Sequence, residues 1–290
     1  MAFRIENGYT GPIADCHIHL FDPNRQEGVP WPYVGDDIYR PCLPTGYWKI
    51  AEPHGITKAI AVEASPWVED NHWLLRTIKQ DPRFLGFVGN LDFTQPSFNR
   101  EFDFLAQEPL FLGLRYGNLW GRDLLVDQHR PGFVDRMKTF ATSGRVLETA
   151  NPDLRLLNAL LLLSDAIPEL RIVIDHLPNA KIAPGEDRAF AQRVSELGMR
   201  SNVLAKLAEI PQLSAGVLVT DLSAYAERID FLWEAFGEDR CFFGSDWPNS
   251  DTVADFDTTM CLIRRCMARY SIAHQEKFFL LNASQAYRAR

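Results

Sequence analysis

Short apolar runs alternate with amphipathic segments along almost the whole chain. Eight of these runs are rich in β-branched and aromatic residues and have the length of buried strands; they cover residues 13–20, 57–63, 84–91, 110–116, 145–150, 170–176, 202–207 and 240–244. The segments between them carry apolar residues at helical spacing, most clearly at 69–80, 153–166 and 255–270, and 275–287 closes the chain as one more amphipathic helix. Eight alternating strand and helix units predict an α/β fold, a (β/α)8 TIM barrel.

The same pattern predicts one domain over residues 1–290, because this length sits at the upper edge of what a single hydrophobic core supports. The rival arrangement is an open doubly wound sheet. That fold binds its cofactor through a GxGxxG turn after the first strand, and Asp22-Pro23-Asn24 occupies this place. The barrel is therefore the favoured architecture.

Charge and cysteine content narrow the class of protein. The formal net charge of −8 comes from dispersed acidic residues, which argues against a nucleic-acid or anionic membrane partner. Five cysteines without a CxxC pair predict neither a disulfide framework nor a thiolate zinc site. Residues 1–11 contain no apolar segment of signal-peptide length, and the longest apolar run, at 156–163, is too short to span a membrane. We expect a cytoplasmic protein that acts on small molecules, and a homo-oligomer is compatible with this sequence.

Polar side chains stand at the carboxyl ends of the predicted strands, where barrel enzymes hold their active sites. In chain order these residues are His17, His19, Glu63, Asn90, Arg115, Glu148, Asp175, His176, Lys206 and Asp246. Side chains two apart on a strand share a face, so His17 and His19 should point the same way, with Asp15 in register behind them. Closure of the ring should place Asp246 beside the histidine pair.

Three imidazoles and one carboxylate, from His17, His19, His176 and Asp246, suit a divalent metal such as zinc with one position left for water. Such a metal would acidify its water, and Asp246 would take the proton during attack on a carbonyl. Without a metal, Asp246 could still act as the general base while the histidines hold it and polarise the carbonyl. Both arrangements predict hydrolysis, and the residues leave the choice open.

Three segments resemble signatures of the amidohydrolase superfamily: Asp15-Cys16-His17-Ile18-His19, Ile174-Asp175-His176-Leu177 and Phe243-Gly244-Ser245-Asp246-Trp247-Pro248. The last of these, with the pattern from Glu63-Ala64-Ser65 to Asn71-His72-Trp73-Leu74-Leu75, is similar to the branch that includes 2-pyrone-4,6-dicarboxylate lactonase and sugar-acid lactonases. The resemblance extends to the last helix. It implies that Asp246 is the base that activates water.

The resemblance also bears on metal use. Dinuclear members of the superfamily have a carbamylated lysine or a glutamate on strand four and a histidine on strand five, where this chain has Arg115 and Glu148. It therefore implies at most one metal, and the pyrone lactonase works without any. Glu63 stands where relatives often have glutamine, and Ala208-Glu209 follows Lys206 where Ser-Gly is more usual. These departures indicate a different choice of substrate.

Cationic side chains are candidates for binding the substrate. Arg115, Arg122 and Arg130 lie on or just beyond strand four, and a planar guanidinium matches a carboxylate. Arg122 and Arg130 are equally well read as solvated loop charges. Lys206 and Glu63 complete the predicted substrate contacts, and Glu148 is either a partner for a cation or a catalytic group.

These residues predict a hydrolase that opens a lactone, from either a sugar acid or an aromatic-degradation intermediate, and so a carboxylated or polyhydroxylated small-molecule substrate. One rival is a metal-dependent decarboxylase of the same superfamily, which normally has the strand-five histidine that Glu148 replaces. A second rival is a barrel that binds a ligand without chemistry, although an intact set of site residues argues against it. The loops at 21–44 and 118–131 should shape the pocket.

Overall fold

The computed structural model describes residues 8–287. Eight parallel strands form one sheet in sequence order, and they are β1 (Ile13–His19), β2 (Ile56–Val62), β3 (Phe84–Gly89), β4 (Phe111–Arg115), β5 (Val146–Thr149), β6 (Arg171–Asp175), β7 (Val203–Leu207) and β8 (Cys241–Phe243). The strands alternate with helices, and the predicted (β/α)8 barrel is confirmed. All eight predicted strands are present, each one or two residues shorter than its apolar run, except β2, which is shifted by one position.

The helices pack around the sheet and bury their apolar faces against it. They are α1 (Pro44–Ala51), α2 (Val68–Ile78), α3 (Phe98–Leu105), α4 (Leu124–Asp127), α5 (Phe133–Thr142), α6 (Leu154–Ala166), α7 (Asp187–Gly198), α8 (Ser223–Phe236), α9 (Phe256–Met267), α10 (Ile272–Glu276) and α11 (Asn282–Tyr287). The side chain of Asp153 accepts the amide of Leu156 at 2.8 Å and so caps α6.

Three local features differ from the sequence-based expectation. The final helix is not continuous, because a π-helical segment at Lys277–Leu281 separates α10 from α11. The short helix α4 lies inside a predicted loop, and a small hairpin pairs Leu213–Ser214 with Val217–Leu218 after β7. Segments this short carry too few periodic positions for a pattern to identify them.

Strand β8 returns to β1 and closes the ring at the carboxyl end of the barrel. The amide of Asp246 donates to the carbonyl of His17 at 2.8 Å, and the amide of His19 donates to the carbonyl of Trp247 at 2.7 Å. A Cβ on Gly244 would lie 2.5 Å from the Cβ of His17, so only glycine permits this approach. The backbone thus brings Asp246 to the two histidines.

The interior of the barrel is layered. Its lower layer is apolar, formed by Val146, Val173, Leu204 and Phe242, and helix α11 packs beneath it through Ala283, Ala286 and Tyr287. Two residues further along their strands, Glu148, Asp175 and Lys206 are completely buried. A charged layer therefore lies between the apolar plug and the mouth of the barrel. None of the helices between residues 8 and 287 has the length and apolar character needed to span a lipid bilayer.

Candidate active site

Two histidines of β1 and the aspartate after β8 meet at the barrel mouth. Nε2 of His17 and Nε2 of His19 are 3.3 Å apart, and Oδ1 of Asp246 lies 3.4 Å from the first and 3.2 Å from the second. Nδ1 of His19 lies 3.1 Å from the carbonyl oxygen of Val62, which can only accept a hydrogen bond. The neutral ring of His19 therefore carries its proton on Nδ1 and directs a lone pair at the site.

Asp15, two positions before His17, does not follow the simple alternation of side chains along a strand. Asp15 was expected in register behind the histidines, but its carboxylate accepts the amide of Ser245 and the hydroxyl of Tyr47, both at 2.8 Å. The pairing of β1 with β2 slips between Asp15 and Ile18, which interrupts the alternation. Asp15 thus ties β1 to the segment that carries Asp246.

His176 faces His17, with the two ring centres 4.7 Å apart. It follows β6 in a left-handed conformation with φ of 60°, and Asp246 has φ of 62°. Such values are uncommon outside glycine and recur at functional sites. Nδ1 of His176 is buried without a hydrogen-bond partner among residues 8–287, and the nearest carboxylate oxygen, from Glu209, is 3.8 Å away.

The charged layer supports the histidines from below. Nζ of Lys206 lies 2.7 Å from Glu148 and 3.2 Å from Asp175, and it is 3.4 Å from Nδ1 of His17. Tyr287 of α11 donates its hydroxyl to Glu148. Burial lowers the pKa of Lys206, but Asp175 and Glu148 outweigh burial and leave that pKa above its ordinary value. Lys206 is therefore a charged and completely buried neighbour of His17, and Glu148 is its partner.

Arg115 approaches the site from β4. Its Nε donates to Oε1 of Glu63 at 2.7 Å, and its Nη1 lies 3.4 Å from Nε2 of His17. The indole of Trp120 donates to the other oxygen of Glu63 at 3.0 Å. The structure therefore brings Arg115 and Glu63 together with the histidine pair, and it gives the guanidinium a carboxylate partner within the chain.

Arg122 and Arg130 do not join this group. Arg122 donates to the side-chain oxygen of Asn90 at 2.8 Å and lies over the ring of Tyr116, while Arg130 pairs with Asp127 at 2.8 Å. Both arginines line another cleft, of about 480 Å³, whose lining also includes Trp120.

Burial controls the protonation of the central residues. It raises the pKa of Asp246 to about 7, and the carboxylate of Glu209 adds to this rise, while His176, Asn249 and Arg115 oppose it. It lowers the pKa of His19 to about 4, helped by Arg115, and it lowers that of His17 well below its ordinary value, helped by Lys206. Near neutral pH the site therefore holds two uncharged imidazoles and a carboxyl group poised to exchange a proton.

A cleft of about 540 Å³ opens onto His176. Its lining includes Glu209 from the loop after β7 and Asn249 from the turn after β8, together with Asn118, Asn151 and Asn179. Asn249 donates to Oδ2 of Asp246 at 2.7 Å and lies 3.2 Å from Glu209. This cleft is large enough for a small molecule to contact His176.

Several residues of the site were not assigned from the sequence. Asn249 contacts Asp246, Tyr287 contacts Glu148, and Trp120 contacts Glu63. Glu209 was identified only as a departure from the family pattern. Asn249 follows Asp246 by three positions, a spacing that could have indicated it. No sequence signal connects Tyr287 to Glu148 or Trp120 to Glu63, because those contacts depend on the path of the last helix and of a long loop.

The donor atoms of the site fit a divalent metal. Nε2 of His17, Nε2 of His19 and Oδ1 of Asp246 are 3.2–3.4 Å apart, and ligands at 2.0–2.1 Å from a tetrahedral zinc ion are separated by about 3.4 Å. Ligand atoms of His17, His176 and Asp246 also lie within 4.8 Å of one another. The buried acidic groups around them outnumber Arg115 and Lys206, so a dication would balance charge.

Comparison with known proteins places the chain in a family. The family model described as amidohydrolase matches residues 14–289. Among curated proteins, the chain is 28% identical over 275 residues to L-fucono-1,5-lactonase from Burkholderia ambifaria, an alignment that covers 93% of this chain and 90% of the relative.

Two solved structures share the fold over nearly their whole length. An amidohydrolase from Burkholderia multivorans with bound zinc superposes with a TM-score of 0.83 at 21% identity, covering 97% of this chain and 100% of that one. A probable 2-pyrone-4,6-dicarboxylic acid hydrolase from Acinetobacter baumannii, with citric acid bound, has a TM-score of 0.75 at 17% identity, covering 95% and 99%. At these identities the likeness establishes the shared barrel.

Proposed function

The chain belongs to the amidohydrolase family, and on that premise we propose that it hydrolyses a lactone by adding water to the ester carbonyl, with Asp246 as the general base. The lactonase relative at 28% identity supports this class of reaction. The observation that carries the proposal is the position of Asp246, whose carboxylate lies within 3.4 Å of both histidines of β1 in a buried site. The cleft that opens onto His176 and Asn249 gives a substrate access to this base.

The electrostatics of Asp246 suit a general base. Catalytic bases work best when their pKa lies near the operating pH, because they are then ionised and still accept a proton readily. Burial raises the pKa of Asp246 to about 7, whereas an exposed carboxylate would be too weak a base. The hydrogen bond from Asn249 at 2.7 Å fixes Oδ2, so the carboxylate keeps one orientation through the reaction.

The reaction then divides among the residues of the site. A water molecule hydrogen-bonded to Asp246 gives it a proton as the water oxygen bonds to the carbonyl carbon. His176, whose Nδ1 lacks a partner among residues 8–287, and Arg115 can donate to the oxyanion that develops. When the ring carbon–oxygen bond breaks, Asp246 returns the proton to the ring oxygen, and the product is a hydroxy acid.

A divalent metal fits the same residues. His17, His19, His176 and Asp246 would hold it, and zinc suits this combination of nitrogen and oxygen donors. When bound, such a metal polarises the carbonyl and acidifies the attacking water. With a metal held through Nε2, neutral His17 would carry its proton on Nδ1, and the carboxylate of Asp175, 3.6 Å away, would accept it. Without a metal, Nζ of Lys206 at 3.4 Å can donate to Nδ1 instead.

The test is a panel of five- and six-membered lactones, neutral and carboxylated, incubated with the purified protein at pH 7.5. Proton release and NMR detection of the hydroxy acid measure ring opening, and subtraction of the spontaneous rate isolates catalysis. Release of carbon dioxide from hydroxybenzoates, without lactone turnover, would identify the chain as a decarboxylase instead. Tight binding without any turnover would identify it as a binding protein.

A further inference from the structure

Glu209 places a carboxylate beside the reacting groups. The proposed reaction assigns this carboxylate no role. The residue follows β7, and its Oε1 lies 3.2 Å from the amide nitrogen of Asn249 and 3.8 Å from Nδ1 of His176. Its Oε2 accepts the side-chain amide of Asn179 at 3.1 Å. Two amide side chains therefore hold the carboxylate in place at the inner end of the cleft.

The carboxylate retains capacity for a ligand. An ionised carboxylate offers about four acceptor positions, and the two amides occupy one on each oxygen. Protonated Asp246 donates to a third, and the ionised base leaves that position free. The side chain is 24% exposed, and it lines the cleft of about 540 Å³ that opens onto His176. A molecule that reaches Asp246 through this cleft must pass the acceptor face of Glu209.

The backbone at Glu209 adopts a conformation that ordinary side chains avoid. Its φ is 53°, in the left-handed region that favours glycine. Strained residues of this kind cluster at ligand sites, where the surrounding structure holds them. His176 and Asp246, the neighbours of Glu209, share this feature, so three strand-end residues present their side chains to one point.

The charges of the cleft favour an uncharged ligand. Its described lining contains the carboxylates Asp153 and Glu209 and a single cation, Lys181, and the remaining polar groups are mostly asparagine side chains. The buried cations Arg115 and Lys206 are paired with Glu63 and Glu148. Glu209 would repel a substrate carboxylate, because both groups are negatively charged. Hydroxyl groups of a substrate could donate to the carboxylates and hydrogen-bond with the asparagine amides.

We propose that Glu209 accepts hydrogen bonds from hydroxyl groups of the substrate and thereby selects lactones of uncharged polyhydroxy acids over lactones that carry a carboxylate. This inference rests on the proposed lactone hydrolysis and names the substrate class of the same site. Hydroxyl groups on adjacent ring carbons match the two oxygens of one carboxylate.

The test compares an aldono-1,5-lactone with the aldarate 1,5-lactone of the same stereochemistry, which carries a carboxylate in place of the terminal hydroxymethyl group. We expect the wild type to prefer the neutral lactone in kcat/KM by at least about tenfold, and Glu209→Gln to reduce that preference by at least about tenfold, mainly through KM. Both lactones undergo the same attack, so an effect of Glu209 on Asp246 cancels in this ratio.

Asp153→Asn is the matched control, because it removes the other carboxylate of the cleft while asparagine can still cap α6. It should leave the preference within about twofold, since hydrogen-bonding specificity is local. Glu209→Gly, which relieves the positive φ, should melt no lower than the wild type and should show the same loss of preference. An unchanged preference in Glu209→Gln, an equal change in Asp153→Asn, or a wild type that prefers the aldarate lactone would overturn the inference.

Binding separates this inference from the proposed function. A 1,5-anhydroalditol has the ring and hydroxyl groups of the lactone but no carbonyl, and its affinity can be measured by calorimetry whether or not the protein turns over any lactone. We expect at least about tenfold weaker binding to Glu209→Gly than to the wild type. Equal binding by the two proteins, or no binding to the wild type, refutes the role of Glu209, while absent lactone turnover refutes only the proposed function.

Discussion

Oδ1 of Asp246 lies 3.2 Å from Nε2 of His19, although 227 positions separate the two residues in the chain. The contact exists because β8 returns to β1 and closes the ring, with backbone hydrogen bonds on both sides of it. Both side chains are buried, at 5% and 1% exposure. The position of the proposed base is therefore a property of the whole barrel. We expect Asp246→Asn to preserve this position, because asparagine tolerates the φ of 62° at this residue.

Asp246→Asn should abolish most of the lactone hydrolysis. Asparagine has nearly the same shape but accepts no proton, and loss of a general base typically lowers the rate by about 10²–10⁴-fold. Steady-state kinetics on the best lactone of the panel measure this change, and the effect should fall on kcat. Full turnover by the variant would rule out Asp246 as the base.

The pH dependence of kcat/KM in the wild type should report the ionisation of Asp246. Burial raises the pKa of Asp246 to about 7, and a base must be ionised to accept a proton. The value of kcat/KM should therefore rise with pH through about 7 and then level off. The residual activity of Asp246→Asn should lack this rise, and a rise centred near pH 4 would contradict the assignment.

The charged form of Asp246 should also lower the free energy of unfolding at alkaline pH. Its pKa is raised in the folded protein, so between the ordinary value of 3.8 and about 7 the folded state binds the proton that the unfolded state has lost. Its contribution to stability is thus greatest below pH 4 and declines as pH rises through 7. Asp246→Asn should be more stable than the wild type at pH 8, by on the order of 3 kcal/mol.

Urea denaturation at pH 8 and at pH 4 measures this difference. The two proteins should differ little at pH 4, because both then carry an uncharged group at this position. A variant that is less stable at both pH values would mean that the carboxylate contributes through packing and hydrogen bonds, with no penalty from its charge.

The barrel itself could be predicted from the sequence because most positions of every strand are buried. Runs such as Ile172 to Ile174 have no polar face, which is typical of parallel strands covered on both sides. Chain order then fixes the arrangement, since strand one must neighbour strand eight in a closed ring. That step alone was enough to bring Asp246 to the histidine pair.

Other parts of the site could not be predicted because they depend on side-chain partners. Lys206 was expected to contact substrate from the barrel mouth, and the structure places it completely buried between Glu148 and Asp175. The strand pattern gives the direction of a side chain but not the depth at which its charge is neutralised. The slip in β1 at Asp15 is a local backbone irregularity that no periodicity reveals.

Zinc binding should depend on the central residues. After loading with zinc and gel filtration, the wild type should retain about one equivalent, because the spacing of the donor atoms fits a single tetrahedral ion. Asp246→Asn and His19→Ala should retain much less. His72→Ala is the matched control, since His72 lies on α2 against Phe104, and equal zinc content in all four proteins would contradict the site.

Lys206→Met should destabilise the protein strongly. Nζ of Lys206 is the partner of Glu148 at 2.7 Å and of Asp175 at 3.2 Å, and all three side chains are completely buried. Methionine fills a similar volume but leaves two carboxyl groups without a cation, and breaking a buried ion pair in this way costs about 3–5 kcal/mol. Burial and Glu148 already raise the pKa of Asp175 well above its ordinary value. Without the ammonium of Lys206, we expect Asp175 to take up a proton.

Urea denaturation at pH 8 tests this expectation against two further variants. Lys206→Met combined with Glu148→Gln removes one of the unpaired charges and should recover part of the lost stability, since the amide can still accept the hydroxyl of Tyr287. Lys49→Met, on the exposed side of α1, should change stability by less than about 0.5 kcal/mol. If Lys206→Met were as stable as Lys49→Met at pH 8, the buried layer would not be ionised in the folded protein, and Lys206 could not be the cation that fixes the ring of His17.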